Sequence, residues 1–500
     1  MTMRQNAIDP HKLRLFDALA NAAGRMASRF AIPESDMDRM SVATVAGELL
    51  RRENPAQLVD LYASGYALAE HMAALIERQT PDADALARFR KLAPTLDESS
   101  DYVEAQDSLL ALKSVLSSLV AGSAYPVDSG GEMKDIVTSL CRWEEQVLKL
   151  PSAEQAAAGQ QRDFRQSLEA SARAQGGAFA QARVVEFTSL IGGFSNLTTL
   201  FTLADDKGGR WDLVARASTG LPLGIEGRTI DGEYFLLRYL HRHGAAVAEP
   251  IWLERDIEKY DAPFLVMRKL EGENFGTVVE AQRLNPAQLR ALATQLATIH
   301  AIPLDGSDPD LRQSLVDADL VGASTGEAMG AYLDRWIRLW RSTGLSSPTI
   351  EATLQWLRAN LPQAAEPPVL VHGDYALHNI MMQGEDISGV LDWELSHLGG
   401  RAEDLAGLCA TFSSEDDVSQ FMVDYVEAGG KPVTEFQIKY CNVFRFFIMY
   451  VVMSESDLRF YSLPQAYPEL LVLGSFVQLP AQRMAQAIEE AEQAKARACA

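Results

Sequence analysis

Two acids and an amide stand at the ends of a short polar loop and of the strand that follows it. Apolar residues 369–371 lead into Asp374, a loop continues to Asn379, and a second apolar run at 387–391 ends at Asp392. Phosphoryl transfer from a nucleotide needs Mg²⁺ held by carboxylate and amide oxygens, and a carboxylate that orients and deprotonates the attacking hydroxyl. We therefore expect Asp374 to be the base, and Asn379 and Asp392 to be the Mg²⁺ ligands.

These three side chains lie in a catalytic hairpin, 369–394, whose pattern predicts strand, polar loop, strand, turn and strand. The turn falls at 383–386, where Gln-Gly-Glu-Asp separates two apolar runs. The alternative is a hairpin whose polar loop merely caps its strands. Residue type, spacing and strand context agree at several separated positions, so we favour the catalytic interpretation.

The motif HGDxxxxN, followed by an apolar strand that ends in DWE, resembles the aminoglycoside phosphotransferase-like, or choline-kinase-like, small-molecule kinases. With EDLA at 403–406, the string resembles the branch of that group found with acyl-CoA dehydrogenases. The resemblance covers residues 180–480, roughly. It implies a protein-kinase-like bilobal fold, Mg²⁺, and ATP as the phosphate donor, with GTP left open.

A glycine-containing loop interrupts a strand-like pattern at 191–197. Glycine permits close approach of backbone N–H groups to phosphates, so Gly192, Gly193, Ser195 and Asn196 are candidate nucleotide-binding residues. Two glycines in a hairpin usually just make a turn. The loop gains weight from its place ahead of Asp374, and its sequence GGFSNLT is similar to the nucleotide loop of the resembled family.

Nucleotide phosphates also need a cation on the third strand, paired with a helix carboxylate. Arg216 occupies the position at which many kinases have lysine, whereas Lys207 lies in the preceding turn and is expected to face solvent. A guanidinium can bind phosphate oxygens through two N–H groups. Glu233, on a predicted helix, is the expected partner, with Glu226 as an alternative.

An apolar strand at 264–267 precedes the segment that forms the hinge in a bilobal kinase, where adenine meets backbone groups. We therefore assign Met267 and Lys269 to nucleotide binding. Further polar residues near the hairpin receive supporting roles.

His372 is expected to hydrogen-bond the catalytic loop, and His378 is interpreted as a plain loop residue. His300, at the end of a predicted helix, is expected to be a core or capping residue. The resemblance implies that Asp404 holds the catalytic loop in place.

The net charge and the cysteine content of the chain disfavour some classes of binding partner. The net charge is −23 among 500 residues, and the isoelectric point is near 4.8. Such acidity disfavours nucleic acid and anionic membranes as partners, although it is also a common solubility device. The four cysteines are scattered, which disfavours a zinc site or a disulfide framework and favours a cytoplasmic location.

The predicted fold class is α+β, a bilobal kinase-like fold preceded by an all-helical domain. The boundaries are 1–170 for the helical domain, 180–272 for the N-lobe and 273–500 for the C-lobe. Residues 1–170 show helical periodicity and no motif with chemistry. An interaction or homo-oligomerisation role is favoured there over a substrate-capping one.

The sequence thus predicts Mg²⁺-dependent transfer of the ATP γ-phosphate to a hydroxyl of a small molecule. The resembled branch implies hydroxy acids or their CoA thioesters as acceptors, and other members of the group imply aminoglycosides or choline. The alternative from another class is a nucleotide-binding pseudokinase that acts as a scaffold through its helical domain. The presence of all three polar side chains of the hairpin argues against that alternative.

Overall fold

A computed structural model describes residues 62–70, 72–73, 83–93, 96, 102–121, 164–190, 196–218, 229–256, 260, 262–275, 283–315, 318–462 and 468–499. Helical periodicity in the sequence predicts helices at 13–30, 82–93, 100–121 and 132–149. The first and last of these ranges lie outside the described residues, and helices are present at 83–89 and 102–121. The described part of the chain mixes α and β structure, as predicted, with helices predominating.

Ten strands form three sheets within the described residues. They are β1 Arg183–Leu190, β2 Asn196–Ala204, β3 Arg210–Ser218, β4 Pro250–Glu254, β5 Phe264–Arg268, β6 Glu273–Asn274, β7 Val369–Val371, β8 Ile380–Gln383, β9 Asp386–Val390 and β10 His397–Gly399. The largest sheet has the order β1-β2-β3-β5-β4 and is antiparallel throughout. Two smaller antiparallel sheets, β10-β7 and β6-β8-β9, flank the loop that carries Asp374.

Thirteen helices have bounds within the described residues. They are α1 Ala83–Phe89, α2 Tyr102–Ala121, α3 Phe164–Gln175, α4 Ile230–Arg242, α5 Pro286–Ala301, α6 Pro309–Ser314, α7 Thr325–Ser342, α8 Pro348–Ala359, α9 Arg401–Cys409, α10 Glu415–Glu427, α11 Glu435–Ser462, α12 Pro468–Ser475 and α13 Gln478–Cys499. None of them is both long enough and apolar enough to cross a lipid bilayer.

The chain divides into two compact units. The helical unit comprises the described residues within 1–158, 336–360 and 443–500, and the sheet unit those within 159–335 and 361–442. The helical unit is therefore built from three separate stretches of sequence. The division into 1–170, 180–272 and 273–500 stays a prediction.

Within the helical unit, apolar residues of α2 form a buried cluster that includes Ala352 of α8. Side-chain hydrogen bonds add to this packing: Gln355 donates to the Val120 carbonyl at 2.9 Å, and Trp356 Nε1 donates to Glu492 at 2.7 Å. Trp356 is fully buried and so packs in the core of this unit.

In the sheet unit, β3 shows how the five-stranded sheet positions a functional candidate. Alternate residues of a strand point to opposite faces, and Leu213, Ala215 and Ala217 are buried in a cluster that includes α3. Val214 packs against the other cluster, which includes α4. Arg216 therefore shares the α4 face of the sheet with Val214.

Local capping signals set the start of the two helices nearest the site. Thr229 caps α4 by accepting a hydrogen bond from the Gly232 N–H at 3.1 Å, and this places Glu233 in the first turn. Asn285 and Gln288 form a capping box at the start of α5. The Asn-Pro pair at 285–286 predicts a helix that starts there and continues to His300, and α5 confirms it.

Candidate active site

The loop after β7 turns sharply at Gly373. This glycine has a φ of 85°, and a Cβ there would lie 2.5 Å from the Leu395 carbonyl oxygen. A side chain would therefore clash with backbone as well as strain the φ angle. Glycine at position 373 therefore permits the turn that places the next residue, Asp374, in the site.

Asp374 and Asn379 are in direct contact. The Asn379 amide Nδ2 donates to the Asp374 carbonyl at 3.0 Å and to its carboxylate Oδ2 at 2.9 Å. A short 3₁₀ helix, Leu377–Asn379, turns the chain back to allow this. It also brings His378 Nε2 to 3.2 Å from the same Oδ2, a contact that sequence reasoning missed. The spacing of four residues was the available signal.

Asp404 lies in α9 and accepts hydrogen bonds from the backbone of the loop at 372–379. Its carboxylate accepts from the His372 N–H at 2.8 Å and from the Gly373 N–H at 2.9 Å. It also contacts His300 Nε2 at 3.1 Å. Burial raises the pKa of Asp404, but the hydrogen bond and charge of His300, with the contacts of His372, outweigh it and hold the pKa below its ordinary value. The carboxylate stays ionised and holds the loop.

His300 does more than fill the core. Its Nδ1 lies 2.7 Å from the Tyr425 hydroxyl while its Nε2 faces Asp404. The prediction of a buried residue at the end of its helix is confirmed. Its bond to Asp404 joins residues 104 positions apart, and no local pattern in the sequence indicates it.

His372 hydrogen-bonds the loop as expected. Its Nδ1 accepts from the Asp374 N–H at 3.2 Å, and its Nε2 lies 2.8 Å from the Leu391 carbonyl oxygen. Because a carbonyl oxygen can only accept, Nε2 carries the proton. His372 thus connects the loop to the residue before Asp392.

Asp392 follows β9 and adopts a left-handed backbone conformation, with φ 60° and ψ 66°. It is the one residue other than glycine with a positive φ in the described part of the chain, and such conformations cluster at functional sites. The Leu391 N–H donates to the Asn379 carbonyl at 2.8 Å. That bond places the two predicted metal ligands, Asn379 and Asp392, on adjoining segments.

Arg216 contacts two carboxylates from distant parts of the chain. Nη1 lies 3.0 Å from Glu233 Oε1, and Nη2 lies 3.1 Å from Asp392 Oδ1. The Arg216 side chain is 12% exposed and that of Glu233 is 3% exposed. Burial lowers the pKa of Arg216, but Glu233, Asp392 and Glu394 outweigh it and leave the pKa above its ordinary value. A permanent positive charge is thus held between the sheet and the hairpin.

The predicted pairing of Arg216 with Glu233 is present, and the contact with Asp392 was not foreseen. The other candidate partner, Glu226, lies outside the described residues. The role of Arg216 toward a nucleotide stays a prediction.

Comparison with known proteins decides the family. The model of the phosphotransferase enzyme family matches residues 186–437, which is half of the chain and includes the contacts of the candidate active site. This chain belongs to the phosphotransferase enzyme family.

Two relatives of this chain are named as acyl-CoA dehydrogenase family members. Mouse acyl-CoA dehydrogenase family member 10 is 28% identical over 227 residues, 44% of this chain and 20% of the relative. Mouse acyl-CoA dehydrogenase family member 11 is 31% identical over 191 residues, 36% of this chain and 22% of the relative. The chain thus spans about a fifth of the length of these relatives. The resemblance to the acyl-CoA dehydrogenase-associated branch is confirmed.

Among solved structures, a proposed aminoglycoside phosphotransferase from Ralstonia eutropha superposes with a TM-score of 0.48 at 21% identity. The match covers 65% of this chain and 98% of that protein.

The remaining candidate nucleotide-binding residues lie in the loop at 191–197, in β5 and just after β5. Gly192, Gly193 and Ser195 lie outside the described residues, and Asn196 begins β2. Met267 is buried in β5. Lys269 is exposed, and its N–H donates to the Asp212 carbonyl at 3.1 Å. Their roles stay predictions.

The chemistry of Asn379 and Asp392 fits Mg²⁺. The Asn379 amide nitrogen donates to Asp374, which leaves the amide oxygen Oδ1 as the atom able to bind a cation. Asp392 supplies a carboxylate that is 40% exposed. Amide and carboxylate oxygens are ligands that Mg²⁺ accepts, and it usually keeps several waters beside one or two carboxylates.

Proposed function

We propose that this chain is a Mg²⁺-dependent kinase that transfers the γ-phosphoryl group of ATP to a hydroxyl group of a small molecule. The observation that carries the proposal is the convergence of four side chains from three segments of the chain. Asn379 contacts Asp374 at 2.9 Å, and Arg216 contacts Asp392 at 3.1 Å. The backbone bond from Leu391 to Asn379 joins the two pairs. Membership of the phosphotransferase family supports the reaction class.

Each side chain has a role in that reaction. Asp374 accepts the proton of the attacking hydroxyl as the bond to phosphorus forms. Arg216, held by Glu233, binds the phosphate oxygens of the nucleotide through its guanidinium. Asn379 and Asp392 would hold Mg²⁺, which when bound offsets the negative charge of the phosphates. The loop at 192–196 supplies backbone N–H groups to the same phosphates.

The acceptor we propose is a hydroxy acid or its CoA thioester. Support comes from the names of the relatives, which are acyl-CoA dehydrogenase family members. A kinase segment within a protein of that name would act on an acyl chain that carries a hydroxyl. Aminoglycosides and choline are the competing acceptors.

The test is phosphate transfer from γ-labelled ATP to a panel of hydroxy acids, their CoA esters, amino sugars and choline. Transfer to a hydroxy acid or its CoA ester, dependent on Mg²⁺, is the expected result. Transfer to amino sugars or choline alone would replace the proposed acceptor and keep the reaction. A protein that binds ATP but transfers no phosphate to any acceptor, water included, would favour the pseudokinase alternative. Parallel reactions with GTP decide the donor.

A further inference from the structure

His378 contacts the proposed base directly, although its sequence context suggests a plain loop residue. Its Nε2 lies 3.2 Å from Asp374 Oδ2, the oxygen that also accepts from Asn379 Nδ2 at 2.9 Å. The side chain of His378 is 22% exposed and that of Asp374 is 31% exposed. Two donors thus converge on one oxygen of the carboxylate, at a partly open site.

The direction of the His378 bond follows from its chemistry. An ionised carboxylate can only accept hydrogen bonds, so Nε2 must carry the hydrogen. A carboxylate that accepts two hydrogen bonds on the same oxygen is restrained in rotation about its Cβ–Cγ bond. Such a bond therefore orients Asp374 in addition to contacting it.

The backbone of His378 is itself held in place. Its carbonyl oxygen accepts from Asn274 Nδ2 at 2.6 Å, and Asn274 lies in β6, which pairs with β8. The N–H of Phe275 donates to the Ile380 carbonyl at 2.9 Å on the same edge. The ring of His378 therefore projects from a fixed point beside the base.

The two donors on Asp374 differ in what else they do. The proposed role of Asn379 includes a bond from its amide oxygen to Mg²⁺, so its amide plane must also satisfy the cation. His378 has no such second task in the proposed reaction. It can therefore orient Asp374 both before and after the nucleotide and Mg²⁺ bind.

We propose that His378 is a positioning residue that fixes the carboxylate of Asp374 through Oδ2 and so presents Oδ1 to the hydroxyl that is phosphorylated. The inference rests on the proposed function. In that reaction the oxygen–phosphorus bond to the acceptor forms, the bond to the ADP leaving group breaks, and the acceptor proton passes to Asp374. His378 acts on this step only through the orientation of Asp374.

The first test compares two substitutions in the full chain. His378→Gln keeps an N–H donor at a similar reach, and His378→Leu removes the donor while keeping bulk. His241→Leu, at an exposed histidine of α4, is the matched control. The assay is phosphate release from ATP and Mg²⁺ with water as the acceptor, which needs no knowledge of the natural acceptor.

The expected result is a split between kcat and KM. His378→Leu lowers kcat about 10- to 100-fold, because a misplaced reacting group can cost about that much, while the KM and Kd for ATP stay within about threefold. His378→Gln retains kcat within about fivefold, and His241→Leu matches the wild type. Equal losses in the Leu and Gln variants, no loss in the Leu variant, or a loss confined to KM would overturn the proposal.

A second measurement does not depend on activity. Protein labelled with ¹⁵N in its histidine rings is recorded at about pH 8.5, above the ordinary imidazole pKa of about 6.5, and the His378 signal is assigned from its absence in His378→Gln. We expect the Nε2-protonated tautomer in the wild type and a shifted tautomer balance in Asp374→Ala. An unchanged His378 signal in Asp374→Ala would overturn the contact.

The two measurements separate the two hypotheses. A wild-type protein that transfers phosphate neither to water nor to any acceptor overturns the proposed function, and the NMR result still decides whether His378 holds Asp374. Normal turnover in the wild type with an unaffected His378→Leu variant overturns the positioning role alone.

Discussion

Two parts of the candidate site are held together in different ways. The loop at 372–379 combines hydrogen bonds among its own residues, such as Asn379 to Asp374, with bonds to Asp404 of α9 and to Leu391 and Asn274. Arg216, by contrast, joins β3 to α4 and to the end of β9, and its bond to Asp392 connects residues 176 positions apart. Local hydrogen bonds thus help to shape the loop, whereas the ion pairs of Arg216 join only distant parts of the chain.

This difference suggests a division of labour. Changes in the loop should alter the chemical step, because the loop sets the position of Asp374, the proposed base. Changes in the ion pairs should alter nucleotide binding, because in the proposed reaction the guanidinium of Arg216 binds the phosphates and Asp392 would hold the cation. Measurements of kcat and of ATP affinity therefore distinguish the two parts.

The largest effect on turnover is expected for Asp374→Ala. Loss of a positioned base lowers kcat about 100-fold or more, while ATP affinity, measured by calorimetry, stays within a few-fold. Phosphate transfer within about tenfold of wild type would remove Asp374 from the base role. A large loss of ATP affinity would instead assign the loop at 372–379 to nucleotide binding. The loop and the ion pairs of Arg216 would then not differ in function.

Asp404→Ala should destabilise the loop and with it the sheet unit. The substitution leaves the N–H groups of His372 and Gly373 without an acceptor, and each buried orphan costs about 1–3 kcal/mol. We therefore expect a decrease of roughly 3 kcal/mol in the free energy of unfolding, measured with urea. Asp386→Ala, at an exposed carboxylate, should change it by less than about 0.5 kcal/mol.

The Asp404 carboxylate should also make the free energy of unfolding depend on pH. The pKa of Asp404 is lower in the folded protein than its ordinary value, so the folded state binds the proton less tightly than the unfolded state. Its stabilisation is present above the ordinary pKa of about 3.9 and is lost as the pH falls through the lower folded value. The difference in unfolding free energy between wild type and Asp404→Ala should therefore shrink below about pH 4. A difference that grows on acidification would contradict this assignment.

Arg216→Ala tests whether the long-range ion pairs of Arg216 contribute to nucleotide binding. Loss of a charge-assisted contact should weaken ATP binding by about 1.5–3 kcal/mol, and Arg216→Lys should lie between wild type and Ala because it keeps charge but loses the two-pronged geometry. Glu233→Gln should reproduce part of the defect, with a double variant less than additive. Lys207→Ala, in the exposed turn before β3, is the control. If Arg216→Ala leaves ATP affinity unchanged, the phosphates are bound by another cationic side chain.

The smallest effect is expected for Asn379→Ala in the Mg²⁺ dependence of nucleotide binding. Removal of one neutral ligand should cost about 1 kcal/mol, and Asp392→Ala should cost more because a carboxylate also contributes charge. Calorimetric titrations of ATP with and without Mg²⁺ measure both. If wild-type affinity for ATP is independent of Mg²⁺, the pair has been misassigned.

The sequence by itself determined the family, the mixed fold class and the place of the catalytic hairpin. Asp374, Asn379 and Asp392 could be singled out because strand periodicity and a short loop fix their separation along the chain. The helix of Asn285-Pro286 could be predicted for a similar reason, since its capping box lies within four residues. Both partners of such short-range hydrogen bonds lie within a few residues of each other, so the local sequence is enough to predict them.

Tertiary structure alone decided the contacts of Arg216 with Asp392 and of His300 with Asp404, and the grouping of 336–360 and 443–500 with the N-terminal helices. These contacts join residues far apart in sequence, so they depend on how whole elements pack. His378 is the intermediate case. Its spacing from Asp374 is local, but only the folded turn shows that its ring reaches the carboxylate, because the conformation of a loop is set by the strands and helices that hold both of its ends.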